Sequence, residues 1–258
     1  MRRNEIDFEK VADDFWEKWN FPNLIGAIDG KHVRIVNPDN GGSLFFNYKK
    51  KISVVLLAII DANYKFLLVD IGAHGKEGDS GIFSKSKAGK EIYAGTFNFP
   101  ESKPLPGTTK VMPHVIVGDE AFRLDVHVLK PFPREQAVKD IKKSIFNYRL
   151  SRARRVTENA FGIFSHVFRI FFTPINVKPT TVDKIILACC CLHNLLRDSS
   201  LASESQGAIE ACKPTMNLMS LTGTGGFAHI EGLEVHNDFM DFFYNEGAVP
   251  WQNTMVTV

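Results

Sequence analysis

The feature that most constrains this chain is the apolar run VVLLAII at residues 54–60, which has no polar position on either face of a strand. Seven residues are an ordinary strand length and are too few to span a bilayer, which takes about 18 to 20. A strand that is apolar on both faces must be covered on both faces. The run therefore predicts the central strand of a sheet that is flanked by helices.

The segments around this run give an α/β order. Strand-like segments at 24–36, 52–60 and 65–71, with turn residues at 61–63, predict an antiparallel meander. A short helix that starts at Asp79-Ser80, with Asp79 favoured as its N-cap, would connect to a parallel fourth strand at 114–117. Residues 95–113 are rich in proline and predict an irregular connection, and helical patterns follow at 134–170, in two pieces, and at 181–197. This order predicts an RNase H-like mixed sheet flanked by helices.

The length of 258 residues favours one main domain with short additions. We expect an N-terminal helical segment at 1–23, an RNase H-like domain at 24–198 and a partly disordered C-terminal tail at 199–258. The tail is rich in Ser, Gly and Thr and ends in an amphipathic stretch at 238–244.

Cysteine usage and the N-terminal sequence bear on the compartment. Cys189, Cys190 and Cys191 are consecutive, so on a helix their side chains are about 100° apart and cannot converge on one metal ion. They are expected to be small buried hydrophobic residues in a reducing compartment. No apolar run is long enough to cross a membrane, and the start has no apolar stretch of secretory type. The expected location is the nucleus and cytoplasm.

Positive charge is concentrated in one segment. Residues 130–155 contain nine basic and two acidic residues, a net charge of +7 in a chain whose net charge is +2. A charged run of this kind is usually the solvated face of a helix. The alternative is a surface that binds DNA phosphates, because such contacts supply most sequence-independent affinity for DNA.

Three acidic residues lie where the predicted sheet would bring them together. Asp29 is within the first strand, Asp119 ends the fourth, and Glu158 is on a helix. Carboxylates are the ligands that Mg²⁺ prefers, and two such ions about 4 Å apart can activate water and stabilise a leaving oxygen in phosphodiester cleavage.

Each of these acids also has a simpler interpretation. Asp29-Gly30 has the sequence of a tight hairpin turn, and Gly118-Asp119 that of a strand end. Glu158 could pair with Arg154 or Arg155 on an exposed helix face. His32 and His193 have apolar neighbours and are more typical of hydrogen-bonded core residues than of ligands.

Several sequence blocks, taken together, resemble the PIF/Harbinger transposase-derived nuclease family. The blocks are IGAIDGKHVRI (25–35), GKEGDSGIFSKS (75–86), VIVGDEAF (115–122), IFNYRLSRARRVTENAFGIFSHVFRIF (145–171), VDKIILACCCLHNLLRD (182–198) and NDFMDFFYNEGAVPWQ (237–252). The resemblance implies an RNase H-like core and a metal-dependent DDE triad that falls on Asp29, Asp119 and Glu158. Asp79 is in the second block, where the resemblance implies a supporting contact to metal or water as the alternative to an N-cap.

The resemblance also implies cofactors and partners. We expect two Mg²⁺ or Mn²⁺ ions, and DNA as the substrate. The expected DNA-binding residues are Lys142, Lys143, Arg149, Arg152, Arg154 and Arg155. The resemblance also implies a separate Myb/SANT-like DNA-binding protein as a candidate partner. Residues 1–23 are too few for the helix-turn-helix-like region that precedes the core in family members, so that region either lies outside this sequence or has been lost. A homo-oligomer is a further candidate assembly.

The leading hypothesis is therefore a DNA endonuclease of the DDE type. The alternative is a domesticated DNA-binding or adaptor protein that has lost catalysis. A metal-dependent phosphatase with Asp29 as nucleophile is disfavoured, because it would need a DxD-type pair and position 31 is Lys.

Overall fold

The predicted central strand lies inside the sheet. The computed structural model describes residues 7–38, 43–47, 49–199, 218–220 and 229–256. Strand β2 spans Ser53–Ile60, and all eight of its residues are buried. It pairs antiparallel with β1 (Leu24–Arg34) on one side and with β3 (Phe66–His74) on the other. Burial of a Val, Leu or Ile side chain contributes about 1.5 to 3 kcal/mol, so this strand anchors the sheet.

The turn between β2 and β3 follows from one side chain. Asp61 Oδ1 accepts hydrogen bonds from the backbone N–H groups of Asn63 and Lys65, both at 2.8 Å. An aspartate that bonds to the backbone in this way stabilises a tight reversal of the chain. The predicted antiparallel meander of the first three strands is confirmed.

The remaining strands complete a mixed sheet. β6 (Val115–Val117) pairs parallel with β1, and β7 (Val128–Leu129) pairs parallel with β6. The order is β3-β2-β1-β6-β7, and β8 (Met219–Ser220) pairs antiparallel with β1. In the segment predicted to be irregular, β4 (Lys103–Pro104) and β5 (Val111–Met112) form a separate two-stranded sheet. The mixed sheet and its helices are consistent with the predicted RNase H-like α/β fold.

Eight α-helices lie in the described part of the chain. They are α1 (Phe8–Trp19), α2 (Asp79–Lys85), α3 (Lys87–Tyr93), α4 (Arg134–Ala137), α5 (Ile141–Val167), α6 (Pro179–Asp198), α7 (Ile230–Tyr244) and α8 (Gln252–Val256), with a 3-10 helix at Arg169–Phe172. The longest, α5, packs on the sheet: the Phe161 ring lies 5.7 Å from that of Phe66 and 5.6 Å from Lys31 Nζ. The predicted break of the 134–170 helical region into two pieces is confirmed by α4 and α5.

The cysteine prediction is confirmed in part. Cys189 and Cys190 are buried, but Cys191 is exposed. Successive residues on a helix point about 100° apart, so three consecutive side chains cannot all face the core. The prediction from the apolar run was therefore correct for Cys189 and Cys190 and wrong for Cys191.

The C-terminal helices pack against α5. Phe239 and Phe243 on α7 are fully buried, and the Phe243 ring lies 6.1 Å from that of Phe146. The amphipathic stretch predicted at 238–244 is the second half of α7. Residues 200–217 and 221–228 of the predicted tail lie outside the described residues. Among the described helices, none combines the length and the apolar character needed to cross a membrane.

Candidate metal centre

Three aspartates from different parts of the chain meet at one end of the sheet. One carboxylate oxygen from each of Asp29, Asp79 and Asp119 lies within 4.8 Å of the other two. Asp29 and Asp79 are buried, and Asp119 is half-buried. Three acidic side chains at this separation repel one another unless cations or protons compensate their charge.

The sheet positions two of these aspartates. Asp29 lies in the interior of β1, opposite Ala58 of β2, so its interpretation as a hairpin turn is wrong. Asp119 follows the end of β6, next to Gly118, where an added Cβ would lie 2.5 Å from Phe122 and 3.1 Å from Ile28. A side chain at position 118 would collide with Phe122 and Ile28, so only glycine fits there. The Asp119 carboxylate is oriented locally, since it accepts a hydrogen bond from Ala121 N at 2.9 Å.

The third aspartate comes from the start of α2. Gly78 is the N-cap of this helix and Asp79 is its first residue, so the predicted N-cap role of Asp79 is wrong. Asp79 is 1% exposed, and its Oδ1 is buried with no hydrogen-bond partner in the described part of the chain. An unsatisfied buried carboxylate oxygen is costly, so this atom is available to a ligand.

The electrostatics of the centre follow from burial and mutual repulsion. Burial, together with the charges of Asp29 and Asp119, raises the pKa of Asp79 to about 8. Burial also raises the pKa of Asp119, while the nearby Arg154 and the hydrogen bond from Ala121 oppose that shift. In the absence of a cation, Asp79 is therefore the carboxyl that holds a proton near neutral pH.

A lysine completes the surroundings of Asp29. Lys31 Nζ lies 2.8 Å from Asp29 Oδ2, and both residues are buried. Residues two apart on a strand point to the same face of the sheet, so β1 itself brings the ammonium to the carboxylate. The two-residue spacing of Asp29 and Lys31 signals this contact, which was not predicted, because Lys31 was considered only as a departure from a DxD pair.

Glu158 is not among the three clustered carboxylates. It is an exposed residue of α5 and forms no ion pair among the described residues, so pairing with Arg154 or Arg155 is not observed. It follows Arg154 by four residues and precedes Phe161 by three, which places all three on one side of the helix. Arg154 is close enough to influence Asp79 and Asp119, and Phe161 contacts Lys31. Glu158 is therefore on the same side of α5 as Arg154, the residue that lies near Asp79 and Asp119.

The histidines in the family-like blocks are core residues. His32 Nδ1 lies 3.0 Å from Ser53 Oγ, and His193 Nε2 lies 2.8 Å from the backbone oxygen of Tyr64. Burial lowers the pKa of each of these histidines to about 4. Neither belongs to the acidic cluster, so they remain assigned to the core.

The six predicted DNA-binding residues do not form one surface. Arg149 is fully buried, and its guanidinium donates to the backbone oxygens of Gly247, at 2.8 Å, and Asn20 and to Gln252 Oε1 at 2.9 Å. It has no surface with which to contact a phosphate, and its assignment to DNA binding is wrong. No local pattern signals the burial of Arg149, because its three partners lie about 100 residues or more away along the chain.

The other five basic residues are divided among three places. Lys142 pairs with Asp241 at 2.8 Å, and Lys143 donates to Gln136 Oε1 at 2.9 Å. Arg152 lies over the rings of Trp19 and Trp251, whereas Arg154, about 200° further around α5, lies near the aspartates. Arg155 is exposed. Of the six residues predicted to bind DNA, Arg154 and Arg155 are therefore the two that are close to Glu158 along α5.

The donor set fits a hard divalent cation. All three clustered ligands are carboxylate oxygens, which suit Mg²⁺ and Mn²⁺, and none is the sulfur or imidazole that softer metals prefer. The unpartnered Asp79 Oδ1 provides an acceptor that a cation would satisfy.

Comparisons with known proteins agree with this geometry. Residues 28–194 match the family described as DDE superfamily endonuclease. "Protein ALP1-like" of Arabidopsis thaliana is 28% identical over 196 residues, which is 74% of this chain and 45% of that protein. "Putative nuclease HARBI1" of Mus musculus is 23% identical over 242 residues, 91% of this chain and 61% of that protein. No solved structure matches the chain significantly.

The chain spans about half of the length of these relatives, between 45% and 61%. The family match covers most of the fold, from the strand that carries Asp29 to the helix that follows Glu158. This chain therefore belongs to the DDE superfamily endonucleases, among the relatives of the PIF/Harbinger transposase-derived nucleases.

Proposed function

We propose that the chain is a metal-dependent DNA endonuclease that cleaves phosphodiester bonds with Asp29, Asp119 and Glu158. The observation that carries the proposal is the convergence of Asp29, Asp79 and Asp119 within 4.8 Å from a strand, a helix start and a strand end. Such a cluster is costly without a cation, since burial and repulsion raise the pKa of Asp79 to about 8. Because the cluster lowers the stability of the fold, the binding of a cation explains it better than a structural role does.

The chain's own groups have distinct tasks in this proposal. Asp29, Asp79 and Asp119 would hold Mg²⁺ or Mn²⁺, which supplies activation of water and charge stabilisation on the scissile phosphate. Glu158, on the same side of α5 as Arg154, would add the third carboxylate of the triad. No protein base with a tuned pKa near 7 is needed, which agrees with the low pKa values of His32 and His193.

The basic residues beside Glu158 would position the DNA backbone. Arg154 and Arg155 precede Glu158 by four and three residues, about one turn of α5. A DNA backbone bound to these two arginines would therefore run close to the aspartates. Lys142, Lys143 and Arg152 are part of the proposed surface only if they leave their present partners. A separate Myb/SANT-like DNA-binding protein, a homo-oligomer and a nuclear and cytoplasmic location belong to the same proposal.

The test is nicking of a supercoiled plasmid in Mg²⁺ or Mn²⁺. Wild type is compared with Asp119→Asn and Glu158→Gln, which keep the shape of the side chain and remove its charge. Both variants should lose at least 100-fold in rate, and EDTA should abolish cutting. Glu101→Gln is the control, because Glu101 is exposed and is not part of the acidic cluster. Cutting by Asp119→Asn at the wild-type rate would contradict the proposal.

The second candidate function is a DNA-binding or adaptor protein that has lost catalysis. The observation that favours it is the place of Glu158, which is exposed and outside the cluster of three aspartates. Under this alternative the wild-type protein binds DNA but does not nick it in either metal. The same assay, with binding measured in parallel, therefore separates the two functions.

A further inference from the structure

The acidic centre contains a built-in cation. Lys31 Nζ is 2.8 Å from Asp29 Oδ2, and its residue is only 2% exposed. Its ammonium also lies 5.6 Å from the centre of the Phe161 ring on α5. Lys31 is close enough to Asp79 to oppose the rise in that carboxyl's pKa. The ammonium is thus held between the sheet and α5, at the edge of the three carboxylates.

The position of Lys31 limits how Asp29 can bind metal. A carboxylate that bridges two ions must give one oxygen to each, and Oδ2 of Asp29 is already occupied by the ammonium. Oδ2 has a second acceptor position, but a divalent ion bound there would lie directly beside the buried ammonium, where two like charges repel strongly because little water screens them. Asp29 therefore has one oxygen, Oδ1, to offer to a metal.

The net charge of the centre also favours a single divalent ion. Asp29, Asp79, Asp119 and Glu158 together carry four negative charges when they are ionised. Lys31 and Arg154 supply two positive charges nearby, and Glu120 and Lys130, which also lie near Asp119, cancel each other. The remaining charge of −2 is what a single divalent ion neutralises, and a second ion would leave the buried centre positive before DNA binds.

We propose that Lys31 takes the place of one of the two metal ions, so that the centre binds a single divalent ion. This inference rests on the proposed function and specifies its metal requirement. Lys31 acts as a positioning residue: it fixes Asp29, compensates its charge and leaves Asp29 Oδ1, Asp79 and Asp119 to hold the ion. Substitution of the ammonium by an apolar group should open the second position.

The test is the stoichiometry of Mn²⁺ binding to the full chain, measured by titration calorimetry with the metal alone. Wild type should bind one ion, and Lys31→Met should bind two, the first at least tenfold more tightly than in wild type. Methionine is unbranched and apolar, and can occupy the same space beside Phe161. Lys31→Arg is the matched control, since it keeps a cation at the position and should still bind one ion.

A second measurement needs no variant. Two Mn²⁺ ions about 4 Å apart couple magnetically, so the electron paramagnetic resonance spectrum of wild type at saturating Mn²⁺ should be that of an isolated ion. A coupled pair in wild type, or one ion in both wild type and folded Lys31→Met, would overturn the inference. Wild type that nicks DNA yet binds two ions would contradict this inference alone. Wild type that neither binds Mn²⁺ nor nicks DNA would contradict the proposed function as well.

Discussion

At the scale of single residues, the centre shows how burial gives similar side chains different properties. Asp29 is paired with Lys31, whereas Asp79, 1% exposed, has an oxygen without a hydrogen-bond partner. Asp119 is half-buried and accepts a backbone hydrogen bond. Of the three, Asp79 is the residue whose charge is least compensated by the protein, so it is the most informative one to substitute.

The Asp79→Asn variant should stabilise the metal-free protein above neutral pH. The folded-state pKa of Asp79, about 8, lies above its unfolded value of 3.8. The folded state therefore keeps a proton that the unfolded state has lost, and stability falls as pH rises from about 4 to 8. The full cost, up to about 5 kcal/mol, is reached above pH 8. The amide of Asn avoids that cost because it carries no charge.

Thermal melts in EDTA at pH 6 and pH 8.5 measure this effect. The variant should have the higher melting temperature at pH 8.5, and its lead should shrink at pH 6. Saturating Mg²⁺ should reverse the order, because the ion stabilises only the protein that retains the carboxylate. Glu101→Gln serves as the control for loss of one negative charge. Equal melting temperatures in EDTA at pH 8.5 would show that the ionised carboxylate of Asp79 does not destabilise the folded protein.

At the scale of elements, the helix α5 places its residues in three different surroundings. The buried side packs on the sheet and in the core, Arg152 points away from it towards Trp19 and Trp251, and Arg154 and Glu158 lie at the edge of the buried side, with Arg154 near the aspartates. Its basic residues therefore do different things although they are close in sequence. The net charge of residues 130–155 therefore does not show which of these basic residues could contact DNA.

The double variant Arg154→Ala/Arg155→Ala should weaken binding to any DNA duplex. The slope of log affinity against log salt concentration should fall by about one for each phosphate contact that is lost. Affinity is measured over a range of salt on two duplexes of unrelated sequence. Lys87→Ala/Lys90→Ala removes the same charge from α3, whose two lysines are exposed, and should leave the slope unchanged.

Two outcomes would contradict that assignment. An unchanged slope in the Arg154/Arg155 variant would mean that these residues only solvate the helix or compensate the acidic centre. A loss confined to one duplex would mean that they contact bases rather than phosphates.

At the scale of the whole molecule, Arg149 ties distant parts of the fold together. Its guanidinium binds the backbone after α1, at Asn20, and the segment between α7 and α8, at Gly247, together with Gln252 of α8. It also lies 4.4 Å from the centre of the Phe243 ring. Burial lowers its pKa to about 10, so it stays charged at neutral pH. One side chain thus joins the N-terminal helix, α5 and the C-terminal helices.

The Arg149→Met variant should lower the free energy of unfolding by about 3 to 5 kcal/mol, because it removes the buried guanidinium that donates to Gly247, Asn20 and Gln252. Urea denaturation measures the change. Arg155→Met, at an exposed position of the same helix, should change stability by less than about 0.5 kcal/mol. If Arg149→Met is as stable as wild type and loses DNA affinity, Arg149 is a binding residue after all.

These cases show what the sequence could and could not predict. The apolar run at 54–60 and the turn at Asp61 determine local structure, so the meander and the approach of Asp29 to Asp119 were predictable. The burial of Arg149 depends on atoms of Asn20 and Gln252, which no local pattern connects to it. Asp79 was assigned to capping because the sequence around α2 shows only its helix, not the two carboxylates across the fold.

The contacts of Arg149 also have a consequence for how the chain is made. Its partners Asn20, Gly247 and Gln252 leave the ribosome far apart in time, and Gln252 leaves last. Until then the guanidinium cannot be buried with all of its hydrogen bonds. A message cut short by a few codons before that point would yield a chain that holds every aspartate of the centre yet is marked for degradation.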